Sequence, residues 1–278
     1  MKSSFAWTGT IDAPPRSPLA GTVIVLIVVA VLSLTMIAPG AMGHWPLAAF
    51  ILLLTLAALS KDIYATHIAL LALTWALLLG FIPLFRIWPF SMLMPIVVYA
   101  LVVFLIPTLR NSVGWLRKGC SDAEVRRLVV TVIVVSCLAL VVWAGVEQPD
   151  LGQQLKLIPQ MPLWVYPFAA VAFAMFNAAM EEVIFRGIMM EALDSALGAG
   201  LMSVSLQAVA FAALHFLAGF PNGISGFFMV LLYGFMLGIV RRRSRGMFAP
   251  WLAHLAADVV IFTILAVTLH LYHGHLII

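Results

Sequence analysis

Glu181 and Glu182 stand side by side in "MEEVIFRG", Met180 to Gly187, inside a stretch apolar enough to lie within a bilayer. Two carboxylates and the Arg186 guanidinium are costly there unless partners are supplied. On a helix, Glu182 and Arg186 are one turn apart on one face, acid before base, the favourable order for an ion pair. Glu181 is turned by about 100° from Glu182 and lacks that partner. Asn177, one turn earlier, shares the face of Glu181 and offers an amide to its carboxylate. The stretch reads as one structural ion pair beside one carboxylate free for chemistry.

Two further patterns lie downstream. In "FAALH", Phe211 and His215 are one turn apart in an otherwise apolar span; in "HLAAD", His254 and Asp258 share a helix face shortly after "RRRSRG". Glu181, His215, His254 and Asp258 have no obvious partner on their own helices, except that the last two can pair with each other. Each has a plain structural reading. A lone intramembrane His serves as a helix-to-helix hydrogen-bonding residue, and His254 with Asp258 is equally an orienting pair with no role toward a substrate. As a set they point to a site, because buried ionisable groups on several helices converge on a pathway or a reaction centre. The terminal "HLYHGH" (His270, His273, His275) reads as a frayed tail. His44 and His67 read as interfacial residues at span ends, and Met189 and Met190 as lipid-facing or packing residues.

The elements that must hold these residues are membrane helices. Of 278 residues, 64% are hydrophobic and 9% charged, whereas soluble domains carry charge on roughly a quarter of their residues. The fold class is all-α: a polytopic transmembrane helical bundle. Spans of ~20 residues fall at about 20–38, 46–60, 66–85, 90–108, 127–146, 163–184, 199–218, 222–240 and 248–270, and since the second is short the count is eight or nine. The net charge of +4 is small, and the basic residues gather in loops 109–127 and 241–246, which the positive-inside rule places in the cytoplasm. Those clusters act as topology determinants, so a lipid bilayer is implied and a nucleic-acid partner is not. Lys2 and Arg16 precede an apolar run too long for a signal peptide, which reads as a retained anchor. Cys120 in a basic loop and Cys137 in an apolar run suggest no disulfide.

The loop "VEQPDLGQQLKLIPQMP", Val146 to Pro162, divides the chain. Residues 1–150 form N-terminal transmembrane helices of unassigned role, with almost no ionisable residue inside their spans; residues 160–270 hold the candidate chemistry. No internal repeat and no Gly/Pro-interrupted helix pair of the inverted-repeat transporter kind is present.

The ordered set E-E-x-x-x-R, F-x-x-x-H and H-x-x-x-N/D, here "EEVIFR", "FAALH" and "HLAAD", resembles the CaaX-protease and bacteriocin-processing (CPBP, Abi) family of intramembrane endopeptidases. The resemblance covers roughly Leu163 to Leu269, and the first half of the chain contributes nothing to it. It implies an all-α bundle with its site in the membrane and a glutamate-dependent hydrolase acting on a membrane-associated protein or peptide. By position, Glu181 and His215 would activate a water and His254 would help stabilise the oxyanion, with Glu182, Arg186, Asn177 and Phe211 supporting the site. The prenyl-protein endopeptidases have Asn where this chain has Asp258. An ionised Asp cannot donate a hydrogen bond, so Asp258 either orients and charges His254 or is itself protonated.

The resemblance and the lack of H-E-x-x-H spacing imply no cofactor. Zinc is the alternative, because Glu, His and Asp are all zinc ligands. A proton-coupled transporter is the competing class, since intramembrane Asp, Glu and His also serve proton relays. Prenylated C-terminus, bacteriocin leader and sorting tail remain equal as substrates. One geometrical conflict stands out: as straight spans, 163–184 and 199–218 place Glu181 and His215 about 24 Å apart in depth at 1.5 Å per residue. Either Arg186–Ala199 folds back into the membrane as a helix, or the span boundaries differ from those drawn.

Overall fold

The computed structural model describes residues 14–37, 44–149, 151–156 and 158–274, and every regular element among them is helical. Lys2 of the expected anchor and His275 of the terminal histidine run lie outside the described residues. In lipid a chain must satisfy its own backbone hydrogen bonds, and helices do this within one segment. The first half holds α1 (Leu19–Ile37), α2 (Trp45–Leu59), α3 (Ile63–Phe81), α4 (Phe90–Leu105) and the one-turn α5 (Pro107–Arg110). Then come α6 (Ala123–Glu147), the one-turn α7 (Gly152–Leu155) and α8 (Tyr166–Glu182). Without a break, α8 passes through a π-helical segment, Val183–Met189, into α9 (Met190–Leu197). The last three are α10 (Leu201–Ala218), α11 (Gly223–Ser244) and α12 (Phe248–Gly274).

Local sequence sets several of these starts. Asp62 caps α3 by accepting from the Tyr64 and Ala65 amides at 3.1 and 3.0 Å, and Asp122 caps α6 by accepting from Val125 at 2.9 Å. Such caps satisfy donors that the first helical turn leaves unpaired. Proline in the first turn opens α2, α5 and α8, where its missing N–H costs nothing.

Each of the nine apolar stretches expected from hydropathy holds a helix over most of its length among the described residues. Among the described residues, six helical stretches are long and apolar enough to cross a membrane: Leu19–Ile37, Ile63–Phe81, Ala123–Glu147, Leu163–Leu197, Gly223–Ser244 and Phe248–His270. Trp45–Leu59, Phe90–Leu105 and Leu201–Leu217 are apolar but shorter.

The expected end of the sixth span at residue 184 is corrected. Its helix continues through the π segment to Leu197, and Asp194 near its end is paired from a distant helix. Arg242 of α11 grips Asp194 with two hydrogen bonds of 2.7 Å. The chain then reverses at Gly198–Gly200, where Gly198 adopts φ +85°, a conformation that favours glycine. Counted from that reversal, Glu181 lies about 27 Å back through α9 and the π segment to the end of α8, and His215 about 24 Å forward along α10, at 1.5 Å per residue. The depth conflict therefore disappears: both residues lie at similar depth, and the intervening segment continues the helix instead of folding back.

Three buried apolar clusters hold the bundle. One joins the first four helices to Phe185, Ile188, Leu193 and Phe211. A second gathers Trp143, Phe220, Phe262 and Leu265. A third gathers Val125, Val129, Leu237, Val240 and Ala253. Tyr233 of α11 packs against all three. Helices α10 and α11 approach closely because α11 carries glycine at the contact; a Cβ at Gly234 would come within 2.9 Å of the Phe211 ring.

His67 is not interfacial as its position at a span end suggested. It is buried, with Nδ1 2.6 Å from the Tyr99 hydroxyl and Nε2 2.8 Å from the Ser112 hydroxyl, so it ties α3 to α4 and the loop after α5. Met189 and Met190 are buried packing residues, and Cys120 and Cys137 are free thiols.

Candidate active site

Four elements converge beside Tyr233: α8 with Asn177, Glu181 and Glu182; the π segment with Arg186; α10 with Phe211 and His215; and α12 with His254 and Asp258. All of these are buried except His215, which is half-buried. The expected ion pair is present, with Arg186 Nη1 3.0 Å from Glu182 Oε1. The expected amide contact is present too, since Asn177 Nδ2 donates to Glu181 Oε1 at 3.1 Å. Arg186 also lies 4.2 Å above the Phe211 ring and reaches the Gly234 carbonyl at 3.4 Å. A buried guanidinium is thus flanked by a carboxylate, a π face and a carbonyl, each favourable to positive charge.

His254 sits between the two glutamates. Its Nδ1 is 2.8 Å from Glu182 Oε1, and its Nε2 is 3.3 Å from Glu181 Oε2 and 3.7 Å from Asp258 Oδ1. Glu182 Oε1 pairs with Arg186 and, as a carboxylate in an ion pair, accepts, so His254 Nδ1 donates to it. The residue that orients His254 by a hydrogen bond is therefore Glu182. Asp258 stands at ion-pair distance from the imidazole, beyond hydrogen-bond reach. Its Oδ2 instead accepts from Asn177 Nδ2 at 3.1 Å. One amide thus serves both Glu181 and Asp258, a bridge between α8 and α12 that residue spacing does not show.

The Phe211 ring joins the two halves of the cluster. It makes edge contacts with His215 at 4.7 Å and with His254 at 5.7 Å between centroids. His215 Nδ1 donates to the Phe211 carbonyl at 3.0 Å, which fixes its tautomer and leaves Nε2 for other partners. No hydrogen bond or ion pair joins His215 directly to Glu181; the shared ring places it near the cluster.

Among the described residues, no three His, Cys, Asp or Glu side chains are grouped as a metal ion would require. Beside Glu182 a cavity of about 420 Å³ opens, lined by Glu182, Val183, Trp115, Lys118, Phe248 and Trp251 among others. Lys118 lies 5.8 Å from the Phe248 ring centroid at its margin.

One residue of the cluster has no counterpart in the sequence patterns. Trp88, in the turn before α4, donates its indole N–H to Asn177 Oδ1 at 3.0 Å. Nothing in the local sequence signals this, because the contact spans the two halves of the chain.

Residues 162–260 match the family model described as type II CAAX prenyl endopeptidase Rce1-like. That segment is similar to an Rce1-like domain. It contains Asn177, Glu181, Glu182, Arg186, Phe211, His215, His254 and Asp258, in agreement with the CPBP resemblance, and it excludes Trp88. No curated protein and no solved structure matches the chain. This likeness, in a chain with six helical stretches of spanning length among its described residues, fits a hydrolase of peptide bonds that is an integral membrane protein.

Proposed function

We propose that this chain is an intramembrane endopeptidase that uses Glu181 as general base toward a water molecule. The observation that carries the reading is the meeting of Glu181, Glu182, His254 and Asp258 in one buried hydrogen-bonded cluster inside the bundle. Peptide hydrolysis needs a base for water and donors aimed at the developing oxyanion, and a site shielded from bulk water strengthens both. In this scheme the water oxygen attacks the carbonyl carbon and Glu181 takes the water proton. His215 Nε2 helps to hold the water, and His254 stabilises the oxyanion. The C–N bond then breaks as the proton passes from Glu181 to the leaving amine. The substrate is a membrane-associated protein or peptide approaching through the cavity beside Glu182. The basic residues at that margin, read by the positive-inside rule, support an entrance on the cytoplasmic side.

The Rce1-like match favours hydrolysis over a proton-coupled transporter, which would use the same buried acids and histidines. Comparing the membrane peptidome of cells carrying wild type with that of cells carrying Glu181→Gln tests this directly. Endopeptidase activity yields at least one new terminus dependent on Glu181; identical peptidomes combined with Glu181-dependent solute uptake would establish the transporter instead.

The reaction in this reading needs no metal. Elemental analysis of purified protein lacking "HLYHGH" is expected to give zinc well below one ion per chain, and chelators are expected to leave cleavage unchanged. One zinc per chain, lost in His215→Ala, would make the metal-dependent version the correct one.

Asp258 acts through charge on His254 in this scheme. Asp258→Asn keeps shape and can still accept from Asn177, but it removes the negative charge facing Nε2. Cleavage is expected to fall by about 10- to 100-fold, as for other losses behind a reacting group, with a displaced pH optimum. Activity retained or raised in Asp258→Asn, and extended to higher pH, would show that Asp258 works as a neutral donor.

A further inference from the structure

We propose that Trp88, outside the segment similar to Rce1-like proteins, is a positioning residue for the general base: its indole N–H holds the Asn177 amide where it serves Glu181 and Asp258. The proposal rests on the reading of Glu181 as base.

The argument starts from what each group can do. An indole N–H donates and cannot accept, an ionised carboxylate accepts and cannot donate, and a primary amide has one accepting end and one donating end. Trp88 Nε1 lies 3.0 Å from Asn177 Oδ1, while Asn177 Nδ2 lies 3.1 Å from both Glu181 Oε1 and Asp258 Oδ2. Only one orientation of the amide satisfies all three neighbours. Without the indole proton, Asn177 Oδ1 would be a buried acceptor without this partner, which is expensive, and the amide would lose the contact that holds it in place against the two carboxylates.

The surroundings suit this role. Phe173 precedes Asn177 by one helical turn on α8, and the Trp88 ring packs on Phe173 with centroids 5.1 Å apart. The indole is thereby held by its face while its N–H points to the amide. The turn that carries Trp88 is anchored to the end of α3, where Arg86 donates to the Leu79 and Gly80 carbonyls at 2.7 and 3.0 Å. A chain of contacts from α3 to Arg86, Trp88, Asn177 and Glu181 gives the otherwise unassigned first half of the protein a part in the reaction.

The test separates the N–H from the ring. Benzothienylalanine at position 88 replaces the indole N–H with sulfur and keeps shape; Trp88→Phe is the simpler companion. Both are combined with Asn177→Ala and assayed in detergent micelles with a quenched-fluorescent library of lipid-anchored peptides. Loss of the N–H is expected to lower kcat by about 10- to 100-fold with little change in KM, and to cost nothing further once Asn177 is Ala, as coupled residues require. An unchanged kcat in the benzothienylalanine protein, or losses that multiply in the double variant, would overturn the proposal. The indole N–H resonance of Trp88, assigned by its disappearance in Trp88→Phe, reads the bond without turnover and is expected to move upfield in Asn177→Ala. If wild type cleaves no peptide while that resonance moves, the endopeptidase reading falls and the amide contact stands; a resonance indifferent to Asn177→Ala refutes the contact itself.

Discussion

Glu181→Gln is expected to lower peptide cleavage by about 10²- to 10⁴-fold, the usual contribution of a general base, while expression and thermal unfolding in detergent stay close to wild type. The side chains are isosteric, and the carbonyl oxygen of Gln can still accept from Asn177 Nδ2 as Glu181 Oε1 does. What is lost is the charge facing His254 Nε2 and the ability to take a proton from water. Glu182→Gln serves as the comparison. It disturbs the Arg186 ion pair and the 2.8 Å bond to His254 Nδ1 together, so it should reduce stability as well as activity. Turnover by Glu181→Gln within a few-fold of wild type would rule Glu181 out as the base.

Arg186→Ala is expected to give the largest stability loss of any single substitution in the cluster. The guanidinium is fully buried against Glu182, the Phe211 ring and the Gly234 carbonyl. Removing it leaves a buried carboxylate without its cation, a change that costs about 3–5 kcal/mol in comparable sites, and it opens a void beneath the ring. Thermal unfolding with Arg186→Ala, Glu182→Gln and the combined Glu182→Gln/Arg186→Met measures this. The double replacement should recover part of the loss, because it removes both charges and refills the space. A melting temperature unchanged in Arg186→Ala would show that the pair is dispensable.

These two residues also show how far spacing can be read. Glu182 with Arg186 and Asn177 with Glu181 are contacts within one helix, fixed by the 3.6-residue period, so the sequence displays them directly. The convergence of α8, α10 and α12 is carried by ordered motifs but not by any local rule. Hydropathy ended the sixth span at residue 184, whereas its helix runs on to Leu197, where Asp194 meets a remote partner, Arg242, that no local rule displays. Spacing placed His254 with Asp258, four residues on, whereas its bonded partner is Glu182, seventy-two residues away. Trp88 was beyond reach altogether, since a tryptophan in an apolar turn has no periodic signature and its partner lies in the other half of the molecule. His67 misled for a related reason: a titratable side chain near a span end looks interfacial until Tyr99 and Ser112 enclose it.

The π-helical turn at Val183–Met189 has a consequence for how the long helix is timed. An α-helix rotates by about 100° per residue, and a π turn takes in extra chain that resets the phase of everything beyond it. Upstream, Glu181 and Glu182 must point at His254; downstream, Asp194 must point at Arg242. With the turn between them, each orientation is set by its own partner. The element behaves as two cams keyed to one shaft at a set offset, so that deleting one residue within the turn would leave only one cam in time with its follower.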